Sequence, residues 1–291
     1  MTVRVGLVGT GYWARTVHAA GLAVHPDVEL VGVWGRSPEK AEAAAPAGVT
    51  PYDDLDALLG QVDAVSFAVP PAAQAPLALR AAEAGKHLFL EKPIALDLAE
   101  ADRLVEVVEA RGLSTVVFFT QRFVPPWEEW LVAATATGPL GGHVDWLTSQ
   151  GPDSPYFDSA WRREKNGALW DVGAHMLSQL LPALGPVVEV AGARGTGDLV
   201  HLVLTHEGGR TSTMSLSLSM PPGVVRVAVE LYGEQGWMPQ PAHERDLPDA
   251  HARAVSEWVA NIGAGETRHR CDVRFGRDVV EVLGRCARVL G

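Results

Sequence analysis

The chain has 291 residues, 47% of them hydrophobic and 20% charged, and carries a formal net charge of −11. This supports one large or two modest packed domains and excludes bulk disorder. A nucleic-acid binder would show a basic face, and no basic cluster is present. The apolar runs are broken by charge, Pro or Gly well short of a membrane-spanning length, so no span is expected. Cys271 and Cys286 are too few for a disulfide framework or a four-cysteine zinc site, and read as reduced core thiols. No leader pattern opens the chain, and a cytoplasmic location is the expectation.

Residues 3–8 are a short apolar run suited to a strand buried on both faces. Gly9-Thr10-Gly11-Tyr12-Trp13-Ala14 follows, then a helical pattern over 13–25 and a second strand over 27–33. In this setting Gly9 permits a tight turn and Gly11 lets a pyrophosphate approach the backbone. Ala14 lets the helix sit close to the strand. The helix N-terminus then presents free N–H groups to phosphate. The pattern points to a dinucleotide, with contacts expected at Gly9, Thr10, Gly11, Tyr12 and Trp13.

At the end of the second strand stands Gly35-Arg36-Ser37, with no acid for ribose hydroxyls. Arg36 and Ser37 suit a 2′-phosphate, so NADP is expected in preference to NAD. The alternation continues with helices over 37–45 and 51–59, a strand over 62–69, a helix over 72–84 and a strand over 87–90. A helix over 97–110 and a strand over 114–119 follow. Residues 1–119 therefore read as a parallel, doubly wound α/β Rossmann domain. Ligands in such sheets lie at the carboxyl ends of strands. Val69, Pro70 and Gln74, then Glu91 and Lys92, are the further cofactor contacts expected there. Lys92 is a cation at the mouth of this crevice, and the Lys92–Pro93 bond is open to a cis geometry.

With the later Asp171-Val-Gly-Ala-His175, the glycine turn and the Glu91-Lys92-Pro93 segment resemble the glucose-fructose oxidoreductase / inositol dehydrogenase / MocA family. The order and spacing agree over nearly the whole chain. The resemblance implies a Rossmann domain followed by an α+β domain with a large open, mostly antiparallel sheet. One sheet face would form a homo-oligomer contact, giving a dimer or tetramer. It also implies an NAD(P)-dependent dehydrogenase or reductase of sugars, inositols or related polyols. Lys92 would orient the reacting oxygen, His175 would move the proton, and Asp171 would be its partner. The chain has Pro71 and Gln74 where many relatives have Asn and His, and Ser178 where many have Asp. Gln121, Arg122, Trp161 and Arg162 join Lys92, Asp171 and His175 as the expected substrate contacts.

Residues 120–291 read as the second domain, with C-terminal helices free to pack back toward the first. Its pattern predicts a helix over 127–134, a strand over 142–149 and a loop over 150–168. Next come a helix over 169–181 and strands over 187–193, 199–205, 211–219 and 224–232. Helices over 250–262 and 276–290 close the chain. Asp171 and His175, four apart, would share one helix face. No third ligand accompanies them, so no metal is expected. His201, His206 and His243 read as surface or structural. Reduction of an imine, enone or tetrapyrrole-like compound, and non-catalytic dinucleotide binding, stay open as alternatives.

Overall fold

The computed structural model describes residues 2–152, 154–157, 159–244 and 246–291. Asp153 and Asp158, inside the expected loop over 150–168, lie outside the described residues. The chain divides into two compact units, Met1–Phe123 with Arg245–Asp278, and Val124–Glu244 with Val279–Gly291. The boundary expected at 119 thus falls at Phe123, and the stretch from 245 to 278 belongs with the first unit.

The first unit holds a six-stranded sheet in the order β3-β2-β1-β4-β5-β6. Its strands are β1 (Val3–Val8), β2 (Val28–Trp34), β3 (Thr50–Tyr52), β4 (Ala64–Phe67), β5 (His87–Leu90) and β6 (Thr115–Val117). All pair in parallel. Their residues are apolar on both faces because helices cover both sides. Val5, Leu7, Val65, Phe67, Leu88 and Phe89 are fully buried. The chain leaves β1 toward β2 on one side and later places β4 on the other. The β1/β4 edge is therefore the switch point where ligands bind in such sheets.

The connections are α1 (Ala20–Val24), α2 (Pro38–Ala44), α3 (Leu55–Leu59), α4 (Pro71–Glu83) and α5 (Leu98–Arg111). The helix expected over 13–25 begins instead as a π-helical stretch, Ala14–Ala19, that runs into α1. Asp97 caps α5 by accepting the N–H groups of Ala99 and Glu100, and Gly112 ends it in the left-handed conformation. The residues expected as one helix over 51–59 are split between β3 and α3. Asp54 caps α3 by accepting the Asp56 N–H.

In the second unit α6 (Pro125–Ala136), β7 (Gly141–Leu147), α7 (Ala174–Leu184), β8 (Val187–Arg194), β9 (Val200–His206), β10 (Thr211–Ser217), β11 (Arg226–Gly233) and β12 (Gly236–Pro239) follow. The sheet order is β12-β11-β7-β10-β9-β8. Only the β7–β10 pair is parallel. Strand alternation sends Val144, Leu202, Leu204, Met214, Leu216 and Leu231 into the core. Each contributes about 1.5–3 kcal/mol by burial. The other face carries His143, bonded to Thr213, and His201, bonded to Ser215. It also exposes Val203.

Two long helices remain. α8 (Leu247–Ala264) belongs to the first unit, and α9 (Val273–Leu290) begins in the first and ends in the second. Trp258 of α8 is fully buried against Phe89, with its indole N–H on the Ser114 carbonyl. Cys271 and Cys286 are both buried and neither is in a disulfide. Burial pushes the Cys286 thiol up to about 12. His206, also buried, sits between the Gly185 carbonyl and the Ser212 hydroxyl, a structural role. No helix among the described residues is long and apolar enough to cross a membrane.

Candidate active site

Gly9 follows β1 with φ 141°, a conformation open to glycine, and its N–H donates to the Trp34 carbonyl. A Cβ there would lie 2.3 Å from the Ala68 carbonyl oxygen, in the segment after β4. The two chain segments at the switch point therefore close on each other only through this glycine. A Cβ on Gly11, by contrast, would meet nothing within 4 Å. The backbone there faces open space beside a helix N-terminus, the setting a pyrophosphate needs. Tyr12 is exposed, whereas Trp13 turns inward and donates its indole N–H to Glu91 at 2.6 Å.

At the corner after β2, Arg36 is exposed. The Ser37 hydroxyl caps α2 by accepting the Lys40 N–H, and it donates to the Glu39 carboxylate at 2.6 Å. That bond, with the helix backbone, holds the Glu39 carboxyl below the usual carboxylate range. Ser37 is thus a helix cap already engaged by an acid. Gly35 packs on Thr10, where a Cβ would lie 2.4 Å from the Thr10 methyl. A larger side chain at position 35 would require the Thr10 side chain to move.

Val69 is half-buried and Pro70 exposed, at the start of α4. Gln74 is fully buried, and its amide is spent on the motif after β5. Its oxygen accepts the Glu91 N–H, and its nitrogen donates to the carbonyls of Glu91 and Pro93. Gln74 therefore acts as a backbone clamp on the segment that carries Lys92. Between the clamped residues lies Lys92, and the Lys92–Pro93 bond is cis. Gln121 and Arg122, expected at the substrate, are buried in a 3-10 turn of the first unit. There the Arg122 guanidinium lies over Phe275, and its carbonyl accepts from Arg270.

In the second unit Asp171 and His175 are nearly buried. The helix expected to carry both is a π-helical turn, Leu169–Gly173, followed by α7. Such wide turns are frequent at functional sites. Asp171 sits in the π turn, and its Oδ2 accepts from Arg162 Nε at 2.7 Å. Arg162 also donates to the Ser159 hydroxyl and lies between the rings of Tyr156 and Trp161. The loop can close this way because residue 167 is glycine: a Cβ there would sit 2.0 Å from the Arg162 carbonyl oxygen. His175 stacks on Trp146 of β7, a residue that sequence reasoning missed. Ser178 donates to the His175 carbonyl. Gln179, one turn beyond His175, is also buried, and its amide lacks a partner among the described residues.

The parallel sheet, the glycine turn at its switch point and the lysine at a strand end define a dinucleotide-dependent oxidoreductase. Residues 3–119 match the model for the oxidoreductase family with an NAD-binding Rossmann fold, and residues 131–238 match the C-terminal domain of the same family. The chain belongs to the GFO/IDH/MocA family, and it is an NAD(P)-dependent enzyme.

Among its relatives, a dTDP-3,4-didehydro-2,6-dideoxy-alpha-D-glucose 3-reductase of Streptomyces violaceoruber is 33% identical, over 92% of this chain and 89% of the relative. An inositol 2-dehydrogenase of Rhizobium meliloti is 30% identical over 81% of this chain and 74% of the relative. An uncharacterized oxidoreductase of Synechocystis is also 30% identical, over 64% of this chain but only 53% of that relative's length. The UDP-N-acetylglucosamine 3-dehydrogenase structure from Acidithiobacillus ferrooxidans shares the fold. Its TM-score is 0.84 at 22% identity, covering 100% of this chain and 98% of that one.

Proposed function

We propose that this protein transfers hydride reversibly between a nicotinamide dinucleotide and a carbinol or carbonyl carbon of a sugar, inositol or related polyol. The observation that carries the reading is the setting of Lys92: its neighbours on both sides are clamped by Gln74 at the carboxyl end of the parallel sheet. The sugar and inositol activities of the relatives support the substrate class.

The dinucleotide, when bound, takes up or supplies the hydride. The chain's part is placement and proton movement. The Gly9–Trp13 turn holds the phosphates with backbone N–H groups. In this reading Lys92 Nζ donates to the reacting oxygen and draws charge onto it. His175 takes the hydroxyl proton in oxidation and returns it in reduction. Asp171 orients His175 while Arg162 fixes Asp171 in turn. NADP is favoured over NAD by Arg36 and by the lack of an acid at Gly35. The face of the second sheet bearing His143, His201 and Val203 joins copies of the chain into a dimer or tetramer, an assembly that light scattering showing only monomers would defeat.

The test is a screen of inositols, free sugars and nucleotide sugars for dinucleotide reduction or oxidation. Lys92→Ala and His175→Gln should each collapse turnover while NADPH binding persists. Unchanged turnover in either variant would remove that residue from the scheme.

A further inference from the structure

The hydride-transfer reading gives Lys92 a role and leaves its neighbour Glu91 without one. Yet Glu91 is among the most heavily bonded side chains of the first unit. Its Oε1 accepts the Trp13 indole N–H at 2.6 Å and faces His18 Nε2 at 3.0 Å. Its Oε2 accepts the backbone N–H of Lys92 at 3.3 Å. The carboxylate is 13% exposed. Taking it from water costs several kcal/mol unless donors replace the lost hydration, and three donors do so here.

The donors come from the cofactor side. Trp13 stands where the glycine turn passes into the π-helical stretch, and His18 lies within that stretch. His18 cannot swing away. Its Nδ1 is 2.8 Å from the buried Ser66 hydroxyl of β4, and its ring meets Phe89, Phe118 and His251 edge-on. With Nε2 facing a carboxylate, His18 donates there. A continuous line of bonds thus runs from β4 through the helix behind the glycine turn to the amide of Lys92.

We propose that Glu91 is a positioning residue that couples occupancy of the glycine turn to the placement of Lys92. The inference rests on the reading of Gly9–Trp13 as the phosphate seat. A shift of that turn on binding pyrophosphate moves Trp13, while His18, held by Ser66, fixes the other side of the carboxylate. The shared carboxylate hands the movement to the Lys92 backbone, without contact between ligand and lysine.

ADP-ribose fills the phosphate seat without a nicotinamide ring, and variants at Trp13 and Glu91 separate coupling through Glu91 from direct contact of its distal ribose with Lys92. Hydrogen–deuterium exchange of the peptide spanning residues 90–94 is the readout, taken at saturating ADP-ribose. In the wild type, exchange there should slow by about threefold or more. In Trp13→Phe, which keeps the ring and the backbone donors but loses the indole N–H, ADP-ribose should still bind and the slowing should disappear. Glu91→Gln, which leaves the indole in place and puts an amide against the Lys92 N–H, should also lose it. If one variant is too unstable or binds too weakly, the other decides.

Slowing that survives in a variant that binds ADP-ribose overturns the coupling, as does its absence in the wild type. Failure of folded wild-type protein to bind ADP-ribose, NADH and NADPH would instead bring down the phosphate-seat reading, and the coupling with it.

Discussion

The ring of His175 lies nearly parallel to the indole of Trp146, with centroids 5.4 Å apart and planes 17° from each other. β7 supplies the indole and α7 the imidazole, so the sheet itself fixes the tilt of the proposed proton carrier. Trp146→Ala should lower kcat roughly tenfold and leave NADPH affinity unchanged, since such a stack contributes about 0.5–1.5 kcal/mol. Trp146→Phe should recover most of the rate. Wild-type kcat in Trp146→Ala would reduce the stack to packing.

Arg36 is the test of cofactor preference. Arg36→Ala should weaken NADPH roughly tenfold and change NADH by less than about twofold, because only the 2′-phosphate gains a charge-assisted fork from it. Parallel fluorescence titrations measure both. Equal losses for the two dinucleotides would show that Arg36 does not read the 2′ position.

Gly167→Ala tests the loop that delivers Arg162. The added carbon would meet the Arg162 carbonyl oxygen, so the loop must open and the Arg162–Asp171 pair loosens. A destabilisation of about 1–3 kcal/mol is expected, together with a loss of turnover larger than any change in NADPH affinity. Thermal unfolding and steady-state kinetics check it.

The pH dependence of stability should carry the mark of Glu257. Burial alone would raise its carboxyl, but hydrogen bonds from His269 and Arg270, with their charges, outweigh it and hold the group at about 2. A folded value below the ordinary one of 4.5 contributes stability that is fully present above pH 4.5 and lost as pH falls toward 2. Glu257→Gln should therefore lower stability at neutral pH by about 1 kcal/mol after allowance for solvent screening, read as a fall in Tm, and the gap should close across that window. A gap independent of pH would place the effect in packing.

The first sheet was legible because its apolar runs, its turns and the glycine pattern agree on one register. Lys92, Asp171 and His175 were legible as motif residues. What escaped depends on partners distant in sequence. His18 meets Ser66 across 48 positions and Glu91 across 73, and nothing local marks it as more than a helix residue. Ser37 was read for its hydroxyl, but the α2 terminus and Glu39 claim it. β3 and β12 are edge strands of three and four residues, too short for alternation to declare itself. The apolar stripe of α8 states that it is buried, not which of two cores receives it.

The π turn at Leu169–Gly173 has a consequence for how this helix tolerates change. A π turn is an α-helix carrying one surplus residue, so it is a stored insertion. Deleting a single residue there would let the segment relax into ordinary α-helix: the helix beyond would keep its facing, while residues inside the turn would change theirs. Asp171, inside the turn, would then point in a new direction relative to His175 although both side chains survived. The bearing between them is set by the length of the chain as much as by its chemistry.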